Sequence, residues 1–162
     1  FTFLEKHVQA HSNDIPSAML LAERQIGKDR AAAIKTYEQV LTKTPDNFVV
    51  LNNLAYLAFE DKNLTRAEEL AKKAVSLQRE NADAVDTLAQ IYVAKGDKAA
   101  ALKLYEEVSA RPIANDDVYL NHVSVLLELD KKALASRKLA SREFKSEAAK
   151  QRAESLKQQY GL

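Results

Sequence analysis

The sequence predicts an all-α fold built as a solenoid of antiparallel helix pairs, and three observations carry that prediction. First, Asn52-Asn53-Leu54-Ala55, Asp86-Thr87-Leu88-Ala89 and Asn121-His122-Val123-Ser124 each read polar, polar, large aliphatic, small, at spacings of 34 and 35 residues. Second, Ala33, Ala67 and Ala101 keep a period of 34, followed by Tyr37, Ala71 and Tyr105 and then by Val40, Ala74 and Val108. A fixed period of this length marks a stack of repeated units, each burying its apolar face on a neighbour. Third, the chain is 46% hydrophobic with only three Gly and three Pro in 162 residues, so helices can run with few breaks.

The elements follow from local signals. Residues 1–13 read as the end of a preceding repeat: Leu4-Glu5-Lys6-His7-Val8 matches Tyr37-Glu38-Gln39-Val40-Leu41 at an offset of 33. Phe1, Phe3, Leu4 and Val8 are then expected to lack part of their packing, and to mark a face open to self-association. Residues 14–47 form the first repeat. Leu20, Leu21 and Ile26 are the expected stripe of its first helix, and Asp29 is the cap of its second. Pro45 ends that helix, because its ring fixes φ and removes a donor. Residues 48–81 form the second repeat, with Thr65-Arg66-Ala67-Glu68 as an expected capping box. Residues 82–115 form the third, turning at Gly96-Asp97. Residues 116–145 form a degenerate fourth, with Asn115 and Asp130 as its expected caps and its second helix running to about Phe144. Residues 146–162 form a capping helix, started by Ser146, stopped by Gly161, and sparse in apolar positions, as the solvated end of a stack requires. The count is ten helices.

These residues resemble the tetratricopeptide repeat (TPR) family. Val85, Leu88, Ala89, Tyr92, Gly96, Ala101, Tyr105 and Val108 carry its loose pattern best. The resemblance implies a right-handed superhelical solenoid whose first (A) helices line a concave groove. Arg24 and Arg79 depart from the pattern. A narrower resemblance rests on Leu4-Glu5-Lys6-His7, Pro45-Asp46-Asn47, Leu51-Asn52-Asn53-Leu54-Ala55-Tyr56 and Asp86-Thr87-Leu88-Ala89. These strings are similar to the C-terminal part of the TPR lipoproteins that accompany exosortase (PEP-CTERM) sorting and exopolysaccharide export. That resemblance implies a bacterial cell-envelope scaffold, periplasmic or outer-membrane-anchored, reaching the membrane through a lipid anchor outside this sequence; a cytoplasmic location is the alternative.

Function is therefore sought in a groove. The positions just before each large/small pair are Asn52, Asn53 and Tyr56; Asp86, Thr87 and Gln90; and Asn121 and His122, with Asp83 one turn earlier. Asn both donates and accepts, so these side chains suit the backbone of an extended peptide, and the two Asp favour Lys or Arg on it. Set against this, a polar A-helix face is also what ordinary solvation produces. The clamp with which other TPR domains hold an acidic C-terminal peptide is excluded: Asp83 and Thr87 stand where it needs Lys and Arg, and only Asn53 fits.

No cofactor, metal or catalytic site is expected. There is no Cys, and no HExxH, P-loop or GxSxG string. His7 and His11 share a helix face but have no third ligand, so they read as a solvated pair. The remaining feature is charge: residues 131–162 carry nine Lys/Arg against Glu143, Glu147 and Glu154, while the first 130 residues sum to −5. A basic terminal helix offers an alternative function on anionic lipid or nucleic acid. Its cations alternate with Ala, Ser and Glu and few aromatics are interleaved, so nucleic acid is not expected and a protein or peptide partner is.

Overall fold

The computed structural model describes residues 2–162; Phe1, one of the four residues expected to lack packing, lies outside the described residues. Among the described residues there are ten helices and no strand: α1 (Thr2–Ala10), α2 (Ile15–Ile26), α3 (Arg30–Lys43), α4 (Phe48–Glu60), α5 (Leu64–Leu77), α6 (Ala82–Ala94), α7 (Lys98–Val108), α8 (Asp116–Glu128), α9 (Lys132–Ala140) and α10 (Glu147–Tyr160). None of them is long and apolar enough to cross a membrane. The helices form two compact units that divide after Leu77.

In the first unit α2 pairs with α3 and α4 with α5. Ala33, Ala67, Ala71 and Ala74 are completely buried. With only a methyl at each position, the paired helices can close together, and Leu51, Leu54, Tyr37 and Val40 fill the space beside them. Each fully buried Leu or Val is worth about 1.5–3 kcal/mol against exposure. The stripe on α2 differs from expectation. Leu21 is buried, but Leu20 is 43% exposed and Ile26 also faces outward; Ala18, Ala22 and Gln25 complete the buried face. The reason is register: the face that meets α3 steps by three and four from Ala18, and Leu20 falls off it. Gln25 is held there by the Thr36 hydroxyl, which donates to its Oε1 at 2.9 Å. On α1, Phe3 is 84% exposed, while Leu4 and Val8 are half-buried.

In the second unit α6 pairs with α7 and α8 with α9, and α10 packs on α8. Ala101 and Ala135 are completely buried, so the Ala33, Ala67, Ala101 series continues at the same period into the fourth repeat. The fourth repeat's second helix is shorter than expected: α9 stops at Ala140, and Phe144 is buried in the segment after it, edge-on to Tyr119.

The period is written in the caps as well. Asp14, Asn47, Asn81 and Asn115 each accept a first-turn backbone N–H at the start of α2, α4, α6 and α8. Asp29 and Asp97 do the same for α3 and α7. For α5 the cap is Asn63, whose Oδ1 accepts from Arg66 N at 3.2 Å, and not Thr65, which already lies inside the helix. The chain turns between paired helices through a left-handed residue at Lys62, Gly96 and Asp130, again 34 apart. At each, the next residue's N–H reaches back five positions to close the preceding helix: Asn63 to Ala58, Asp97 to Tyr92 and Lys131 to Leu126. Asp130 therefore serves as a turn residue rather than a cap. Lys131 holds the cap position of α9 and supplies no side-chain hydrogen bond.

Glycine fits a left-handed turn at no steric cost, and an acidic side chain fits the cap that follows, as Gly96-Asp97 does. Asp130→Gly should stabilise the protein by roughly 0.5–1 kcal/mol. Lys131→Asp should add about 1 kcal/mol more. Urea unfolding of the two variants checks this; a lower midpoint for Asp130→Gly would contradict the reading.

Candidate functional site

The α4 positions stand on the first unit. Tyr56 is 52% exposed, the largest exposed aromatic of that face. Asn53 points inward instead: its Nδ2 donates to the Tyr37 hydroxyl of α3 at 3.0 Å. Tyr37 is fully buried, and that burial raises its pKa against the opposing effect of the Asn53 bond. Asn53 thus serves α3–α4 packing. Its neighbour Asn52 is half-buried, and its Oδ1 has no partner among the described residues.

The second unit brings most of the other predicted residues into one network. Asp86 on α6 is its centre. The Tyr105 hydroxyl of α7 donates to Asp86 Oδ1 at 2.6 Å, and Asn121 Nδ2 of α8 donates to both carboxylate oxygens at 2.9 and 3.0 Å. Gln90 Nε2, one turn along α6, donates to the same Tyr105 hydroxyl at 2.8 Å. At the start of α8, Asn115 Nδ2 donates to Asp83 Oδ1 at 2.9 Å. Burial raises the pKa of Asp86, while the bonds from Tyr105 and Asn121 pull it down; nearby Asp83 pushes the same way as burial, and Arg152 opposes it. Burial and the Asp86 carboxylate together raise Tyr105 far above the ordinary phenol range. Thr87 is held by its own helix, its hydroxyl donating to the Asp83 carbonyl.

One participant comes from the terminal helix. Arg152 of α10 donates from Nη2 to Asn121 Oδ1 at 2.6 Å, and its Nη1 lies 3.6 Å from Asp117 Oδ1. A cation thus joins a polar strip whose predicted charged members are Asp83 and Asp86. The sequence shows α10 as a helix with Ala149 and Ala153 on one side, and Arg152 flanks that buried pair. What sequence could not show is that this side lies on α8. The rest of the basic segment is largely engaged: Arg142 binds Asp116 and the carbonyls of Ile113 and Ala114, Lys132 binds the Tyr160 carbonyl, and Lys157 pairs with Glu154.

His122 stands apart from this network. It is 2% exposed, its ring stacked on Tyr105 at 5.2 Å between centroids and its Nδ1 hydrogen-bonded with Ser109 Oγ at 3.2 Å. Burial, with Lys138 nearby, pushes its pKa down to about 4. His7 and His11 stack at 4.5 Å, and His7 Nε2 bonds to Asp14 Oδ2 at 2.9 Å, which holds Asp14 down at about 2. No group of three or more potential metal ligands occurs among the described residues.

The sequence model of the tetratricopeptide repeat family matches residues 58–120, from the end of α4 into α8. Residues 58–120 are tetratricopeptide repeat. The TPR fold extends through both units, as solved structures show. A crystal structure of MamA aligns over 96% of this chain and 87% of its own, with a TM-score of 0.74 at 15% identity. PilF of Pseudomonas aeruginosa aligns over 98% of this chain and 82% of its own, with a TM-score of 0.75 at 18% identity. An O-GlcNAc transferase of Thermobaculum terrenum aligns over 71% of this chain, with a TM-score of 0.65 at 22% identity, but over only 22% of its own length. No curated protein matches the sequence. The likeness to these solved structures is one of fold.

The buried His122 makes a pH prediction for this TPR fold. Its folded pKa lies below the ordinary 6.5, so its contribution is fully present above that value and is lost as pH falls from 6.5 towards 4. The loss is about 2–3 kcal/mol, because each tenfold weakening of proton binding on folding is worth about 1.4 kcal/mol. Asp86 acts in the opposite sense, so the comparison is made with His122→Asn, whose unfolding free energy should be flatter over that window. Equal slopes for the two proteins would sink the assignment.

Proposed function

We propose that this chain is a non-catalytic interaction scaffold that holds an extended, neutral-to-basic peptide segment on the polar faces of its A helices. The positions are Asn52, Asn53 and Tyr56 on α4, Asp83, Asp86, Thr87 and Gln90 on α6, and Asn121 and His122 on α8. The observation that carries the reading is the Asp86–Asn121–Arg152 chain of hydrogen bonds: the Asn121 amide donates to the Asp86 carboxylate of α6, and its oxygen already receives a guanidinium. A Lys or Arg on a bound segment would meet the same acceptors, with Asp117 and the exposed Asp83 beside them. On the first unit Tyr56 supplies an exposed aromatic surface on α4. Asn53 and His122 set the shape of the surface rather than bonding a ligand, because Tyr37 and Ser109 already occupy them.

A place in the bacterial cell envelope, within an exopolysaccharide or protein-sorting system, belongs to the same proposal. Its support is the similarity of the Leu4–His7, Pro45–Asn47 and Leu51–Tyr56 strings to the exosortase-associated lipoproteins. The alternative of a lipid- or nucleic-acid-binding basic helix is less favoured, since Arg152, Arg142, Lys132 and Lys157 are engaged within the protein.

Neutral hydrogen bonds contribute about 0.5–1.5 kcal/mol each, so a short peptide should bind with roughly micromolar affinity. Fluorescence anisotropy against a panel of labelled peptides tests the reading. Basic peptides should bind more tightly than acidic ones, and Asn53→Ala with Asp86→Lys should weaken them while circular dichroism stays helical. Arg152→Ala should strengthen basic peptides, because it vacates the Asn121 acceptor. An acidic preference, or indifference to both variants, would refute it.

A further inference from the structure

The second unit also holds a cavity that shares none of the hydrogen-bonding groups of the Asp86 network and meets it only where His122 stacks on Tyr105. It lies among α7, α8 and α9, has a volume of about 540 Å³, and is lined by Ser109, His122, Leu126, Leu134, Arg137 and Lys138, with Glu106 and Ser141 at its edge. A second depression of about 400 Å³ shares Ser109, Lys138 and Ser141 with it and continues to Arg111 and Arg142. The Lys138 ammonium and the Ser109 hydroxyl are thus common to both, as is Ser141, whose hydroxyl donates to the Lys138 carbonyl at 3.0 Å.

The charge there is unbalanced. Lys138 is the central cation, and no carboxylate pairs with it among the described residues. Its ammonium lies over the Tyr119 ring, 4.9 Å from the centroid, and Arg142 occupies the same ring at 4.4 Å. Arg142 has its counter-ion in Asp116, and Arg111 has one in Glu80. Lys138 has neither. Partial burial and the neighbouring Arg142 lower its pKa, as expected for an ammonium that has surrendered water without gaining an anion. Arg137 donates to the Ala133 carbonyl of its own helix, and Glu106 is the single carboxylate lining the cavity among the described residues. Leu126 and the half-exposed Leu134 give the cavity an apolar wall, and the buried His122 closes its floor.

We propose that this cavity binds a small amphipathic carboxylate, its head group received by Lys138 and Ser109 and its aliphatic body lying against Leu126 and Leu134. The head group supplies the missing counter-ion. The body fits because the volume falls within the range of small-molecule sites, about 300–1,000 Å³. Arg137 at the mouth adds attraction for the anion, and Glu106 limits the preference to a single negative charge.

Octanoate is the probe, titrated into the full chain by calorimetry and by NMR of the Leu methyl and His ring signals. Saturable binding is expected in the range up to about 10 mM, with shifts at Leu126, Leu134 and His122. Octan-1-ol and octylamine, which keep the chain and change the head, should bind at least about tenfold more weakly. Lys138→Met, which keeps the stem and removes the charge, should weaken octanoate by a similar factor. Leu134→Gln changes a half-exposed residue, so it serves as the second variant should Lys138→Met fold poorly, and it too should weaken octanoate. The proposal is overturned by an absence of saturable binding, by equal binding of octylamine or octan-1-ol, or by shifts confined to residues outside the cavity. Undiminished octanoate binding in folded Lys138→Met, or in Leu134→Gln, would overturn it as well. The head-group series and the Lys138 and Leu134 variants do not involve Asp86, Asn121 or Arg152, so either proposal can fail without the other.

Discussion

Close approach of paired helices is the constraint on which the rest of this structure depends. At Ala33, Ala67, Ala101 and Ala135 the side chain is a methyl with no exposed surface. A larger group at any of them would have to displace a neighbouring helix, since interiors are packed as densely as organic crystals. Each close pair then decides where its large residues go. Tyr37 and Tyr105, four residues after two of these alanines, are driven inward by the same face, and both must find a partner for a buried hydroxyl. Tyr37 finds Asn53, and Tyr105 finds Asp86 and Gln90. The polar network of the second unit is thus a consequence of packing before it is a surface for anything else.

The same dependence explains which features are legible in the sequence. The Asp, Asn and Ser caps are local and can be read from residues within one turn, and the alanine series and the helix number follow from the 34-residue period. Asn63 escapes such a reading because Thr65-Arg66-Ala67-Glu68 fits the capping-box spacing equally well, and less than one turn separates the two candidates. Asp130 is ambiguous because Asp suits both a cap and a left-handed turn, and only the backbone chooses between them. Leu20 shows that a large aliphatic residue on a short helix need not face the core when alanines define the contact.

The candidate site is less legible than the fold, for a physical reason. Position on an A helix can be inferred from period, but a hydrogen-bond partner belongs to another helix. Asn52 and Asn53 are adjacent and chemically identical, yet one bonds inward to a buried phenol and the other leaves an acceptor unpartnered. His122 occupies the register of Asn53, 69 residues later, and meets its tyrosine by ring stacking instead of a hydrogen bond. Arg152 illustrates the larger gap: a cation 31 residues from Asn121 becomes part of its environment only through the packing of α10 on α8.

The repeated caps have a consequence for how such a chain can change length. The side chain that accepts first-turn amides lies within three residues of them at Asp14, Asn47, Asn81 and Asn115, and the left-handed turns close the preceding helix within six residues. The first turns of α2, α4, α6 and α8 are therefore sealed by their own segment. A tandem duplication or deletion of one 34-residue cassette carries its seals with it and leaves no orphaned peptide groups at the splice. Such an array can gain or lose whole units in a single genetic step, whereas an indel inside a capping segment would cut through a seal.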